Sequence, residues 1–184
     1  MPRIKNDYIP SWEDCQKLMR SLISRHNKGK VSLRDLVFMG LLVCTGARLN
    51  ELLLLKREDI DLEARTIRIR RLKKRKHPEV SELMLPAWIL PWLAKYLANR
   101  RDYLFDMTDR RARDIVYKYT EEILGRRIRP HAFRHALGIR LLVKVKDLDL
   151  VRRQLGHSSY EVVKSYLNYT LRDRRIEIEE ALQL

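Results

Sequence analysis

Thr66-Ile67-Arg68-Ile69-Arg70 and, a short basic run later, Val80-Ser81-Glu82-Leu83-Met84-Leu85 decide the fold class of this chain. The first stretch alternates apolar and cationic residues with a period of two, as a half-buried strand does. The second is a strand candidate of matching length. Between them lies Lys73-Lys74-Arg75-Lys76-His77-Pro78-Glu79, so the whole reads as a β-hairpin with a basic tip. On either side the periodicity is helical. Upstream, Ser11 with Asp14 makes a near capping box and opens a helix to about residue 24, with Trp12, Cys15, Leu18, Met19 and Leu22 as its apolar positions. Ser32 with Asp35 repeats the device before a strongly apolar helix to about Cys44, Thr45-Gly46 breaks it, and a short helix follows over 51–55. Downstream of Pro86, helices are expected over 87–99, 108–124, 131–143, 147–155 and 159–167, with a tail helix over 171–184. Gly125 and Gly156 fit helix C-termini. The expected architecture is mainly α with one small antiparallel β-sheet or hairpin, an α+β fold.

A chain of 184 residues suits a single domain with its own core. With 45% hydrophobic residues it is not disordered through apolar poverty. Thirty-nine Lys+Arg against 24 Asp+Glu leave +15, with a pI near 10.1. On a foldable chain that excess points to a polyanionic partner, nucleic acid above all, although ribosomal and membrane-surface proteins share it. Cys15 and Cys44 have no spacing suited to zinc or to a disulfide framework. Met1-Pro2-Arg3-Ile4-Lys5 carries no apolar signal segment. The longest apolar stretch, 36–47, is interrupted by Gly40, Thr45 and Gly46 and falls short of the ~18 residues of a membrane span. A soluble, cytoplasmic, nucleoid-associated protein with no membrane partner is expected.

Three local patterns carry possible chemistry. Thr45-Gly46-Ala47-Arg48-Leu49-Asn50-Glu51-Leu52 puts an arginine at the head of a helix directly after a buried one, where an unpaired guanidinium is costly. Arg48 and Glu51 stand three apart, either as a plain helix-face pair or as an arginine held rigid and aimed at an anion. His131-Ala132-Phe133-Arg134-His135 follows Pro130, which suits a first helical position, and His131 and Arg134 project from the same side of that turn. Helix N-termini with basic side chains bind phosphate, and solvated faces also look like this. Leu155-Gly156-His157-Ser158-Ser159 separates two helical segments, and Tyr166 follows nine positions after His157. A helix-turn-helix in which Leu148, Val151 and Leu155 pack on Val162, Val163 and Tyr166 accounts for this segment equally well.

In this order, T-G-A-R-L-N-E-L, a basic hairpin, H-A-F-R-H, L-G-H-S-S and a tyrosine resemble the catalytic domain of the tyrosine recombinases, the phage-integrase family. The resemblance spans residues 8–170. It implies catalytic roles for Arg48, Lys73, His131, Arg134, His157 and Tyr166. Strand parity with Ile67 and Ile69 favours Lys73, with Lys74 and Lys76 as the other hairpin lysines. The nine-residue spacing favours Tyr166 over Tyr169, while Tyr160 is too near His157. Family members carry a helical core-binding domain ahead of this one. Here Tyr8-Ile9-Pro10-Ser11 looks like the entry to the catalytic domain, so one catalytic domain over 1–184 is expected, without that N-terminal domain.

The reaction implied is transesterification: a tyrosine hydroxyl attacks a DNA phosphate, forms a 3′-phosphotyrosyl link and expels a 5′-hydroxyl, without ATP, metal or other cofactor. Phenol has a pKa near 10, so His131 is the candidate base and Lys73 the candidate acid. Arg48, Arg134 and His157 would hold the non-bridging oxygens. Arg70, Lys74, Arg75, Lys76 and Arg129 are candidates for phosphate-backbone contact. Double-stranded DNA is the expected partner, with self-association in a synaptic complex, and the tail docks either on a neighbouring protomer or on its own domain. The alternatives are a type IB topoisomerase-like enzyme and a catalytically silent helix-turn-helix DNA binder.

Overall fold

The computed structural model describes residues 8–71, 79–156 and Tyr166. The first helix, α1 (Trp12–Asn27), starts on a complete capping box: the Asp14 N–H donates to the Ser11 hydroxyl, and the Ser11 N–H donates back to the Asp14 carboxylate. It runs three residues beyond the expected end. The second, α2 (Leu33–Thr45), is also capped by its serine, the Asp35 N–H donating to Ser32 Oγ at 3.1 Å. Here the return bond is missing, because the Asp35 carboxylate accepts from the Tyr119 hydroxyl at 3.0 Å and from Arg34 instead. Every residue of α2 from Asp35 to Thr45 is buried, so this is the central helix of the bundle.

Thr45 and Gly46 turn the chain out of α2. The Thr45 hydroxyl donates to the Leu41 carbonyl at 2.7 Å and accepts from the Ala47 N–H at 3.1 Å, while Gly46 takes the left-handed conformation at φ 59°. Helix α3 (Leu49–Leu53) begins two residues earlier than the spacing predicts, because Glu51 caps it by accepting from the Arg48 N–H at 2.9 Å.

The expected hairpin is one part of a three-stranded antiparallel sheet in the order β1 (Ile60–Asp61), β2 (Thr66–Arg71), β3 (Glu79–Met84). At two residues, β1 is too short to leave an alternation in the sequence. Ile67 faces Leu83, Ile69 faces Ser81 and Arg71 faces Glu79, and Ile67, Ile69 and Arg71 form the buried side of β2. The helix expected over 87–99 is divided into a 3₁₀ turn, Ala87–Ile89, and α4 (Leu90–Leu97). Pro91 sits in the first turn of α4, where the missing N–H costs nothing.

Helices α5 (Asp109–Leu124), α6 (Pro130–Val145) and α7 (Leu148–Leu155) follow. Thr108 caps α5 and Asp147 caps α7, and Gly125 and Gly156 close those two helices in the left-handed conformation. Most apolar side chains, together with the free cysteines Cys15 and Cys44, form one core around α2. A second cluster joins Leu137 and Leu142 of α6 to Val151 and Leu155 of α7 and to Tyr166. Among the described residues no helix is long and apolar enough to cross a membrane.

Two left-handed glycines separate backbone cost from packing cost. A Cβ on Gly46 would lie 2.9 Å from Leu155 and 3.1 Å from Leu137, whereas a Cβ on Gly125 meets nothing within 4 Å. Gly125→Ala is expected to lose about 1–2 kcal/mol from the left-handed conformation alone. Gly46→Ala should lose a further 1–3 kcal/mol or so from overpacking, read as a thermal midpoint lower by several degrees. Equal losses in the two variants would show that the α2–α6–α7 contact yields freely.

Candidate active site

Glu51 is the centre from which the site is built. Its carboxylate is buried, with Oε1 accepting from Arg48 Nη1 at 2.7 Å and Oε2 accepting from the Arg48 N–H at 2.9 Å and from Arg71 Nη1 at 3.2 Å. Burial opposes its ionisation, but the Arg48 N–H, the Arg48 guanidinium and Arg71 outweigh that and hold the carboxyl below the usual carboxylate range. Arg48 is thereby fixed in orientation while its side chain stays partly open.

Arg71, inward-facing at the end of β2, is the residue the sequence reasoning missed. Besides Glu51 it donates to Ser81 Oγ of β3 at 2.9 Å and to the Gln154 carbonyl at the C-terminal end of α7 at 3.0 Å. Three chain segments are thus tied by one guanidinium. Its position follows from the parity already visible in Ile67 and Ile69. An inward arginine needs a buried acceptor, and Glu51 is the acidic residue that the first motif supplies.

Arg134 is 1% exposed on the first turns of α6. Its Nη1 donates to the Gly46 carbonyl at 2.8 Å and its Nη2 to the Leu155 carbonyl. The two arginine motifs, 86 positions apart in the chain, therefore meet across the Gly46 turn, and the α7 end joins them there. Burial first, then the charges of Arg48 and Arg71, bring the Arg134 pKa down to about 10, which leaves it cationic at neutral pH. His131, exposed on the same turn, is held below the usual histidine range by loss of solvent, then by Arg134 and Arg48, with Glu51 pulling the other way. With Arg48, Asn50, Arg113, Tyr117 and Arg129 it lines an open cleft.

Tyr166 is completely buried in the second apolar cluster. Its ring lies on Gly138 of α6, where an added Cβ would stand 2.6 Å from Cε2 and 2.9 Å from Cζ. A glycine in the interior of a helix costs about 1 kcal/mol relative to alanine, and here it provides the room for that ring. The tyrosine hydroxyl is hydrogen-bonded to His135 Nδ1 at 3.1 Å, and the His135 ring in turn meets the His131 ring edge-on at 4.7 Å. Burial pushes the phenol up to about 12, against the pull of Arg134 and Arg48. Both arginines and the tyrosine act on one another, so four expected site residues, Arg48, His131, Arg134 and Tyr166, share one region.

Of the other expected residues, Lys73, Lys74, Arg75, Lys76 and His157 lie outside the described residues, as do the helix expected over 159–167 except Tyr166 and the tail over 171–184. Arg70 is engaged within the sheet, its Nη1 donating to Asp59 at 3.0 Å with Glu58 at 3.8 Å. Arg129, at the head of α6, is exposed and lines the cleft. The Val151, Leu155 and Tyr166 packing expected of the helix-turn-helix is present.

The family model for the phage integrase family matches residues 14–172. The tyrosine recombinase XerS of Streptococcus sanguinis (strain SK36) is 33% identical to the chain, over 82% of it and 46% of the relative. The corresponding protein of Streptococcus pneumoniae (strain CGSP14) is likewise 33% identical, over 84% of the chain and 46% of the relative. The chain thus spans about half the length of the curated relatives it matches. Among solved structures, the XerH site-specific recombinase bound to a palindromic difH substrate, a post-cleavage complex, superposes with a TM-score of 0.79 at 27% identity, over 96% of this chain and 53% of that one. Two arginine turns meeting at Gly46, a tyrosine beside them and a match across most of the sequence lead to one assignment: this chain belongs to the phage integrase family, the tyrosine recombinases.

Proposed function

We propose that the chain is the catalytic domain of a site-specific DNA recombinase or integrase, which cuts and rejoins strands through a 3′-phosphotyrosyl link on Tyr166. The observation that supports this most is the convergence of Arg48, Arg134 and Tyr166 in one region, where the charges of Arg48 and Arg134 both act on the Tyr166 hydroxyl. The guanidiniums of Arg48 and Arg134 hold the non-bridging oxygens of the scissile phosphate and stabilise the charge that develops there. Glu51 keeps Arg48 oriented without neutralising the site, because the carboxylate is matched by a second cation, Arg71.

By the family resemblance, Lys73 protonates the departing 5′-oxygen, His157 adds a hydrogen bond to the phosphate and His131 takes the tyrosine proton. Double-stranded DNA enters over the cleft lined by Arg48, Arg113, Arg129 and His131, and Lys74, Arg75 and Lys76 of the hairpin tip contact its backbone. The net charge of +15 supplies the sequence-independent part of the affinity. Residues 8–170 act as one catalytic unit in the cytoplasm, and copies associate on DNA to exchange strands.

Incubation with short nicked duplexes of randomised sequence tests the reading, since loss of the short product beyond the nick traps any covalent protein–DNA adduct. Wild type is expected to form an adduct whose tryptic peptide contains Tyr166, and Tyr166→Phe to form none. An adduct on Tyr169, or none under any condition, would contradict the proposal. Arg134→Ala should slow adduct formation on the order of 10²–10³-fold. Arg129→Ala should leave the chemistry in place and lower the slope of log affinity against log salt by about 1, measured by fluorescence anisotropy on a labelled duplex. An unchanged slope would remove Arg129 from the DNA contact.

A further inference from the structure

We propose that Arg71 is a positioning residue for the strand-transfer reaction: from beneath the sheet it holds the supports of both phosphate-binding arginines, Glu51 for Arg48 and the end of α7 for Arg134. The proposal rests on the recombinase reading above and adds to it a residue that touches neither substrate nor nucleophile. Arg71 is buried, and it lies away from the cleft given to DNA, which Arg48 lines. Its effect on the reaction has to pass through other groups.

The path to Arg48 is electrostatic. Glu51 Oε2 accepts from Arg71 Nη1 at 3.2 Å and from the Arg48 N–H at 2.9 Å, while Oε1 accepts from Arg48 Nη1 at 2.7 Å. Two guanidiniums against one carboxylate leave a net positive charge, and the open side of Arg48 presents it. Without Arg71 the carboxylate would cancel Arg48. The phosphate would then meet an ion pair in place of a cation, and the charge developing on its oxygens would be less stabilised.

The path to Arg134 is mechanical. Arg71 Nη2 donates to the Gln154 carbonyl at 3.0 Å, and Arg134 donates to the next carbonyl, that of Leu155. Arg71 Nε also donates to Ser81 Oγ at 2.9 Å, so the helix end is tied to β3. The fit is close, for a Cβ on Gly156 would stand 2.5 Å from Arg71 Nε and 3.0 Å from its Cδ. Holding one carbonyl of that helix end fixes where its neighbour stands for Arg134. Burial pulls the Arg71 pKa below the ordinary arginine range and Arg48 adds to that, while Glu51 and, across the strands, Glu79 oppose it. A lysine would keep the charge beside Glu51, but an ammonium has no planar fork with which to span these acceptors.

The test uses the full chain and the nicked random-sequence duplexes, with the rate of Tyr166 adduct formation followed at rising duplex concentration. Arg71→Gln removes the cation and keeps a hydrogen-bonding side chain. At saturating duplex it should react roughly 10–100-fold more slowly than wild type, with the half-saturating concentration unchanged. Adding Glu51→Gln to that variant should restore the rate by about fivefold or more, because the carboxylate that cancels Arg48 is gone. Arg71→Lys should show the same pattern to a smaller degree, about 3–10-fold. Thermal midpoints near wild type would show that the variants fold, and should Arg71→Gln not fold, Arg71→Lys decides. Saturating rates within about twofold of wild type, or a loss confined to the half-saturating concentration, would overturn the proposal and leave the recombinase reading intact. A slow Arg71→Gln that Glu51→Gln leaves as slow would do the same, since Arg71 would then serve the fold alone. No wild-type adduct on Tyr166 would overturn both.

Discussion

A carboxylate buried between two guanidiniums is the constraint on which the rest of this site depends. Glu51 alone in an apolar interior would be protonated or would destabilise the fold, and Arg71 alone beneath the sheet would be as costly. Together they satisfy one another, and each carries a second bond outward: Glu51 to Arg48, Arg71 to Ser81 and to the Gln154 carbonyl. The C-terminal end of α7 presents carbonyl oxygens and the negative end of the helix dipole. Arg71 and Arg134 take neighbouring carbonyls there, those of Gln154 and Leu155. Gly156 has to follow, because a Cβ at that position would stand 2.5 Å from Arg71 Nε. The Leu155-Gly156 turn, the hairpin base and the arginine turn are therefore one electrostatic unit.

That unit explains how a strongly cationic site survives folding. Arg48, Arg71 and Arg134 repel one another, and the first and third lower the pKa of His131. One carboxylate and three backbone carbonyls absorb the repulsion without occupying the side of Arg48 that remains open toward the cleft. The cost of assembling positive charge is met during folding, so the donors on the open side of Arg48 stand already oriented. The same field acts on Tyr166. Arg134 and Arg48 favour the phenolate, yet burial dominates and the hydroxyl stays protonated, its pKa near 12.

Much of this was legible in the sequence, for reasons that differ from residue to residue. Capping residues act locally, so Ser11, Thr108 and Asp147 mark helix starts within a residue or two. The alternation in β2 is likewise local and gave the inward face, although its continuation to Arg71 went unread because a cation there looks like part of the basic tip. The strand β1 and the division of 87–99 were not legible. A two-residue strand leaves no period, and the 3₁₀ turn follows from two prolines acting within a stretch that is otherwise apolar enough to read as one helix. Arg48, His131, Arg134 and Tyr166 were singled out through the order of their motifs, and they lie in one region of the fold. The contacts that give them their setting, Arg134 with Gly46 and Tyr166 with His135, span 88 and 31 positions and depend on tertiary packing that no local pattern encodes.

Tyr166 illustrates why a motif residue and a core residue need not be alternatives. Its ring packs with Leu137, Leu142, Val151 and Leu155 as any buried aromatic does, while its hydroxyl reaches a histidine and lies within the field of two arginines. An amphipathic side chain of this kind joins an apolar body to a polar tip. The packing restricts the ring, and restriction of the ring fixes the oxygen. The same apolar contacts that withdraw the phenol from water, and so raise its pKa, are those that hold its oxygen beside His135.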